Sequence, residues 1–326
     1  MTEEIHARFR SCLRGAAIGD ALGAPIEFLS WNEIQQEHGG PVTDLCIPSA
    51  WGPGAFTDDT QMLLFTAEGL IEARRTGAPN PRVVVWDAYR RWYITQTSVY
   101  HEGMYTGLLG EAEMYQRRQP GRTCMAALQD DRYPAIANND SAGCGAAMRV
   151  APCGLVLPVR EAYRFGKETG TLTHGNQRGY VPAGYVAEVI ARLSIGLEPR
   201  HAVEEALRVA CDDQLEPAML LVQKAAQRGH TPYRSPDEMC DDLGEGWTGD
   251  SAAAIATHAF LTDPDFAGVI EVAANHRGDS DSTACIAGSF AGVYHAEVPE
   301  GLWRQVRGKE IVDAVADALY EVYHAR

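Results

Sequence analysis

Positive charge is scarce in this chain: its 326 residues carry 28 Lys and Arg against 44 Asp and Glu, a formal net charge of −16. A nucleic-acid partner is therefore not expected, because phosphate-backbone recognition draws on clustered cations that release counterions. Long apolar runs are missing as well. No stretch approaches the roughly 18 residues of a membrane span, and Met1-Thr2-Glu3-Glu4-Ile5-His6 lacks the basic-then-apolar layout of a signal peptide, so a cytoplasmic protein without a membrane partner is expected. The eight cysteines, at 12, 46, 124, 144, 153, 211, 240 and 285, include no Cys-x-x-Cys pair and no Cys/His zinc spacing. Most read as small buried hydrophobes in the reduced state. Period-two alternation rich in β-branched residues is hard to find, and there is neither a 20–50-residue repeat nor a low-complexity tract.

What the chain does have is apolar spacing of helical period almost throughout. Hydrophobic residues make up 45% and charged residues 22%, ordinary proportions that exclude disorder and a long coiled coil. The spacing predicts helices over roughly 5–22, 57–75, 81–97, 104–118, 142–156, 159–171, 177–194, 200–211, 214–228, 250–262, 265–275, 281–297 and 308–324. In the helix from Thr57, Met62, Phe65 and Leu70 belong to the expected buried stripe, and Gly77 and Pro79 end it. Gly-, Pro- and Asn-rich clusters punctuate the pattern at 39–41, 49–54 and 138–143, none long enough for an interdomain linker. The expectation is an all-α, compact, single-domain orthogonal helix bundle covering residues 1–326, acting as a monomer.

Chemistry concentrates in four segments. Thr57-Asp58-Asp59-Thr60 sets two carboxylates and two hydroxyls at a helix start. In isolation this reads as an N-cap with dipole-complementing acids. A second such start, Asp279-Ser280-Asp281-Ser282-Thr283, weakens that explanation, and it lacks the later ligands of an EF-hand loop. Brought together, Asp58, Asp59, Asp279 and Asp281 with Thr57 and Ser282 would form an oxygen cage suited to two Mg²⁺ or Mn²⁺ ions, since four clustered anions repel unless cations lie between them. The small-residue segment from Gly15 ends at Glu27, a carboxylate flanked by apolar neighbours; it is either a solvated loop residue or a group for substrate positioning and acid–base work. The loop Ser141-Ala142-Gly143-Cys144-Gly145-Ala146-Ala147-Met148 offers backbone N–H groups to a pyrophosphate or ribose, or else serves close packing. His174 sits beside a turn, as a core histidine or one near substrate.

These segments, in this order, resemble the ADP-ribosylglycohydrolase family, which includes dinitrogenase reductase-activating glycohydrolases and ADP-ribosyl-arginine hydrolases. The resemblance runs from about Gly15 to Gly292. It implies an all-α fold, two Mg²⁺ or Mn²⁺ ions in a cleft, and removal of ADP-ribose from a protein side chain or from a small ADP-ribose-containing molecule. Residue by residue, it implies Thr57, Asp58, Asp59, Asp279, Asp281 and Ser282 as metal ligands and Glu27 near the scissile ribose, with Asp58, Asp59 and Asp281 sharing the catalytic work. Ser141, Gly143, Cys144, Gly145, Met148 and His174 fall on the substrate side. Cys144-Gly145 stands where the family often has Asn-Gly. The Asp-Ser-Asp-Ser-Thr form of the second acidic segment slightly favours arginine over serine as the modified residue. The proton carrier is either Glu27 or a metal-bound aspartate. Two other readings of the same residues are a two-metal phosphoesterase, which would yield AMP or phosphate, and a non-catalytic ADP-ribose-binding protein.

Overall fold

A computed structural model describes residues 2–47, 50–213 and 216–324. The fold is all-α, and among the described residues the only extended pairing is an isolated bridge between Gly143 and Thr248. Helices α1 (Thr2–Gly23), α2 (Trp31–His38), α3 (Asp58–Thr76) and α4 (Pro81–Thr97) open the chain, followed by α5 (Arg122–Gln129), α6 (Ala151–Val156) and α7 (Glu161–Gly170). Then come α8 (Gln177–Ser194), α9 (Pro199–Asp212), α10 (Leu220–Arg228), α11 (Pro236–Leu243), α12 (Gly249–Thr262) and α13 (Phe266–Ala274). The chain closes with α14 (Ser280–His295), α15 (Glu300–Trp303) and α16 (Lys309–His324).

The long helices fall where the spacing predicts them, and the differences have local causes. The helix expected over 104–118 is instead two 3₁₀ turns, Gly107–Gly110 and Ala112–Tyr115. Gly103 and Gly107 adopt φ of 71° and 61°, which an α-helix cannot accommodate. The Leu108 N–H is taken by the Glu68 carboxylate at 2.8 Å rather than by a helical carbonyl. Residues 142–150 are likewise a 3₁₀ turn at Cys144–Ala146 and a short loop before α6. The short helices α2, α5, α11 and α15 lie outside the expected spans; α2 is well capped, with Ser30 and Glu33 forming a reciprocal capping box and Gly39 closing it in the left-handed conformation.

Helix α3 is buried on almost every side, including Met62, Phe65 and Leu70, since α4 and α16 both pack against it. Its centrality makes the two aspartates at its start interior groups. The tightest seam is between α1 and α14, where glycines let backbone meet backbone. A Cβ on Gly15 would lie 2.1 Å from the Gly288 carbonyl oxygen, one on Gly19 2.0 Å from that of Ala284, and one on Gly292 1.9 Å from that of Ser11. This close approach carries the end of α1, and Glu27 just after it, against the acidic start of α14.

Candidate metal and active site

The first acidic segment is held by a residue that the sequence reading passed over. Asp20, fully buried in α1, accepts hydrogen bonds from the Thr57 N–H at 2.8 Å, the Thr60 N–H at 2.9 Å and the Thr60 hydroxyl at 2.5 Å. It caps α3 from outside, leaving the carboxylates of Asp58 and Asp59 to point elsewhere. Thr57 is the N-cap of α3, its hydroxyl accepting from the Asp59 N–H at 3.3 Å. Asp58 is also gripped from the loop before α5, where the Gly121 N–H donates to its Oδ2 at 3.0 Å.

The second acidic segment is fixed from two sides. The Asp279 N–H donates to the Glu245 carbonyl at 2.9 Å, and Arg277 pairs with Asp237, Asp241 and Glu245, so the loop before α12 and the loop before α14 are tied together. Buried His276 bonds the Thr283 hydroxyl at 2.9 Å and braces the first turn of α14 rather than entering the site. Asp279 caps that helix by accepting from the Ser282 N–H at 3.3 Å.

Both starts open onto one cavity of about 650 Å³, whose wall contains Glu27, Asp58, Asp59, Asp279, Asp281 and Ser282 together with Gly143, Cys144, Gly145, Met148 and His174. Thr57 and Ser141 stand behind it; Ser141 holds the Thr123 hydroxyl at 2.8 Å and the Gly143 N–H at 3.3 Å. Glu27, Asp279 and Asp281 each offer a carboxylate oxygen within 4.8 Å of the others, a spacing that suits a shared cation. Glu27 thus stands among the expected ligands rather than apart from them. The cavity wall also includes Arg117, Gln119, Arg122 and, at its rim, Phe28 and Trp247, none singled out by the sequence. Phe28 and Trp247 are 61% and 39% exposed and stack with centroids 5.2 Å apart. Only proximity in the fold marks these residues: their sequence neighbours carry no repeated acid or hydroxyl.

The electrostatics fit divalent cations. Burial, with Asp279, Asp58 and Asp20 as nearby anions, pushes the Glu27 carboxyl up to about 9. Burial likewise pushes Asp58 up to about 8, against the Gly121 N–H and with Asp20 and Asp279 adding repulsion. Asp59 and Asp281 are raised well above the usual carboxylate range, again by burial first and then by surrounding carboxylates. Glu27 Oε2 and Asp59 Oδ2 are buried without a hydrogen-bond partner. Such orphaned acceptors are costly in a dry setting, and hard cations with oxygen preference are the partners that would satisfy them.

The glycine loop has a more structural character than its sequence suggests. The Cys144 N–H is engaged by the Trp247 carbonyl at 3.2 Å and the Gly143 N–H by Ser141, so two donors of the loop are already spent. A Cβ on Gly145 would approach Cys124 Sγ to 3.1 Å and His174 Cε1 to 3.2 Å, so glycine lets the loop press against the imidazole. His174 bonds the Thr173 hydroxyl at 2.8 Å, and burial together with the Arg149 charge lowers it to about 3, keeping it neutral. Buried Arg149 donates to the Thr173 hydroxyl at 2.7 Å and lies 4.3 Å over the Tyr89 ring. The Cys144 thiol donates to Asp279 Oδ2 at 2.8 Å.

Comparison with known proteins matches this architecture over its whole length. A protein of Archaeoglobus fulgidus is 28% identical over 97% of this chain and 97% of its own. The ADP-ribosylhydrolase ARH3 of Bos taurus is 25% identical over 97% of this chain and 93% of its own. A solved structure titled ADP-ribosylglycohydrolase-related protein complex superposes with a TM-score of 0.68 at 22% identity, covering 98% of this chain and 99% of that one, and so shares the fold. The model of the ADP-ribosylglycohydrolase family matches residues 1–326, and the chain belongs to that family.

Proposed function

We propose that this protein is a divalent-cation-dependent hydrolase that releases ADP-ribose from a modified side chain, arginine slightly preferred over serine, with two Mg²⁺ or Mn²⁺ ions as cofactors. The observation that carries the reading is the meeting of two acidic helix starts from opposite ends of the chain with Glu27 on one cavity, two of whose buried carboxylate oxygens lack partners. Asp58, Asp59, Asp279 and Asp281 would hold the ions, with Ser282 beside them and Thr57 behind Asp59. Bound there, the ions would supply Lewis-acid polarisation, charge neutralisation and a template for the ribose hydroxyls and the attacking water.

The chain's own groups do the rest. Cleavage at the anomeric carbon passes through an oxocarbenium-like state, and the ring of carboxylates favours that developing positive charge. Glu27 lies on the cavity wall beside the proposed ligands, and proton return to the leaving group falls to it or to a ligand aspartate. Arg117 and Arg122 put positive charge on the same wall, which suits a pyrophosphate. A cavity of about 650 Å³ is in the range of small-molecule sites. The partner is thus an ADP-ribosylated protein or a small ADP-ribose-containing molecule, met by a monomer.

Product analysis tests this directly. Protein modified on arginine, and separately on serine, is incubated with the enzyme in Mg²⁺; free ADP-ribose is the expected product, faster from arginine. AMP or inorganic phosphate instead would identify a phosphoesterase, and binding of ADP-ribose without turnover a reader.

A further inference from the structure

A buried cation without a carboxylate lies behind the cavity. Among the described residues no acid pairs with Arg149; its guanidinium reaches Cys124 Sγ at 3.3 Å, Met62 Sδ at 3.6 Å, the face of Tyr89 and the Thr173 hydroxyl at 2.7 Å. An interior charge without a counter-charge is costly to keep, and the Thr173 hydroxyl leads from it to the cavity wall. We infer that Arg149 and Thr173 are positioning residues that fix neutral His174 in its Nε2–H tautomer, so that the imidazole presents a hydrogen-bond donor rather than an acceptor to a ligand in the cavity. The inference rests on the reading of the cavity as an ADP-ribose site and deepens it by naming what sets the polarity of one contact.

The protons can be counted along the three side chains. A guanidinium has donors and no acceptor, so its 2.7 Å contact occupies a lone pair of Thr173 Oγ1. Thr173 is fully buried, and its own hydroxyl proton needs an acceptor. His174 Nδ1 lies 2.8 Å away, whereas the neighbouring Cys124 sulfur is a weak acceptor that already takes a guanidinium N–H. The hydroxyl therefore donates to Nδ1, which carries no proton. Burial and the Arg149 charge lower the imidazole to about 3, so at neutral pH the ring holds one proton, and that proton sits on Nε2. His174 is 1% exposed and lines the cavity, and its Nε2 makes no hydrogen bond among the described residues. The ring is held in place by the Thr173 bond on one edge and by the glycine loop on the other, where a Cβ on Gly145 would come within 3.2 Å of Cε1 and 3.4 Å of Nε2. The opposite tautomer would set Nδ1–H against Oγ1, leave the hydroxyl proton only sulfur to bond, and turn a bare lone pair toward the ligand.

The test uses the full-length protein labelled with nitrogen-15 at histidine. Long-range proton–nitrogen correlation spectra at neutral pH report which ring nitrogen carries the proton, and the His174 signals are identified by their loss in His174→Gln. Affinity for ADP-ribose is measured by calorimetry on the same samples. Wild type and Thr173→Ser, which keeps the hydroxyl, are expected to show the Nε2–H tautomer alone, with affinities within about threefold of each other. Thr173→Val, which removes the relay, and Arg149→Met, which removes its first donor, are expected to populate both tautomers and to bind ADP-ribose about tenfold more weakly. Where Arg149→Met does not fold, the Thr173 pair decides alone. An Nδ1–H tautomer or an imidazolium in wild type overturns the inference. So does a single Nε2–H tautomer in Thr173→Val, whatever its affinity, or an equal loss of affinity in Thr173→Ser, either of which would make Thr173 a packing residue. Wild-type protein that shows the Nε2–H tautomer but does not bind ADP-ribose overturns the reading of the cavity instead of the relay, because the tautomer is read without ligand.

Discussion

Removing the cations should expose a pH dependence of stability that the cations suppress. In chelated protein, Glu27 titrates near 9 and Asp58 near 8, and Asp59 and Asp281 are also raised. In the unfolded chain these groups return to the ordinary carboxylate range of about 4. Between those limits the folded state holds more protons than the unfolded state. The sign then follows from linkage: stability of the chelated protein is greatest at low pH within this window and falls as pH rises toward about 9. Mg²⁺ reverses the trend, because it binds the deprotonated carboxylates. At a free concentration of about 100 times its Kd near pH 8, it stabilises by about 2.7 kcal/mol. With an unfolding entropy of about 2.1 cal/mol/K per residue, that is a rise in Tm of roughly 4 °C for a chain of this size. At pH about 5.5 the ion must displace a proton from Asp58, which alone weakens apparent affinity by roughly 150-fold relative to pH 8 and shrinks the shift below about 1 °C. Differential scanning calorimetry at the two pH values, with chelator and with Mg²⁺, reads all four cases. Equal Mg²⁺ shifts at both pH values, or a chelated Tm that rises from pH 5.5 to 8, would refute the coupling of these carboxylates to a cation.

Asp59→Asn keeps the side-chain volume but removes one charge at the cations, and should lower turnover by at least about 100-fold in a single-turnover assay of ADP-ribose release. Glu27→Ala should reduce turnover and also cation content measured by plasma mass spectrometry, because Glu27 shares a 4.8 Å cluster with Asp279 and Asp281; full cation retention would assign it to substrate alone. Gly288→Val places a Cβ 2.1 Å from the Gly15 carbonyl oxygen, so α1 and α14 must separate; urea unfolding should report a loss of about 1–3 kcal/mol or more.

The all-α class and the two acidic clusters were legible in the sequence because each carries a local signal. Helical period repeats over many turns, and alternating acids and hydroxyls before an apolar helix occur twice. What escaped was whatever depends on contacts between distant segments. Asp20 lies in a run of small residues that reads as packing, and only the fold shows it capping α3 through Thr57 and Thr60. The helix expected over 104–118 gave way to 3₁₀ turns because glycines with positive φ and a Glu68 contact outweighed apolar spacing. Phe28, with φ of 73°, and Trp247 come together at the cavity rim from segments with no shared pattern. Glu27 could be singled out as a carboxylate among apolar neighbours, but its company with Asp279 and Asp281 needed the α1–α14 seam.

The most direct test of the central claim is the position of Mn²⁺ in crystals grown with that ion, located by its anomalous scattering. The account predicts two peaks inside the cavity, about 3.5–4 Å apart, among Asp58, Asp59, Asp279 and Asp281. Well-ordered crystals at saturating Mn²⁺ with no anomalous peak among those carboxylates would contradict it.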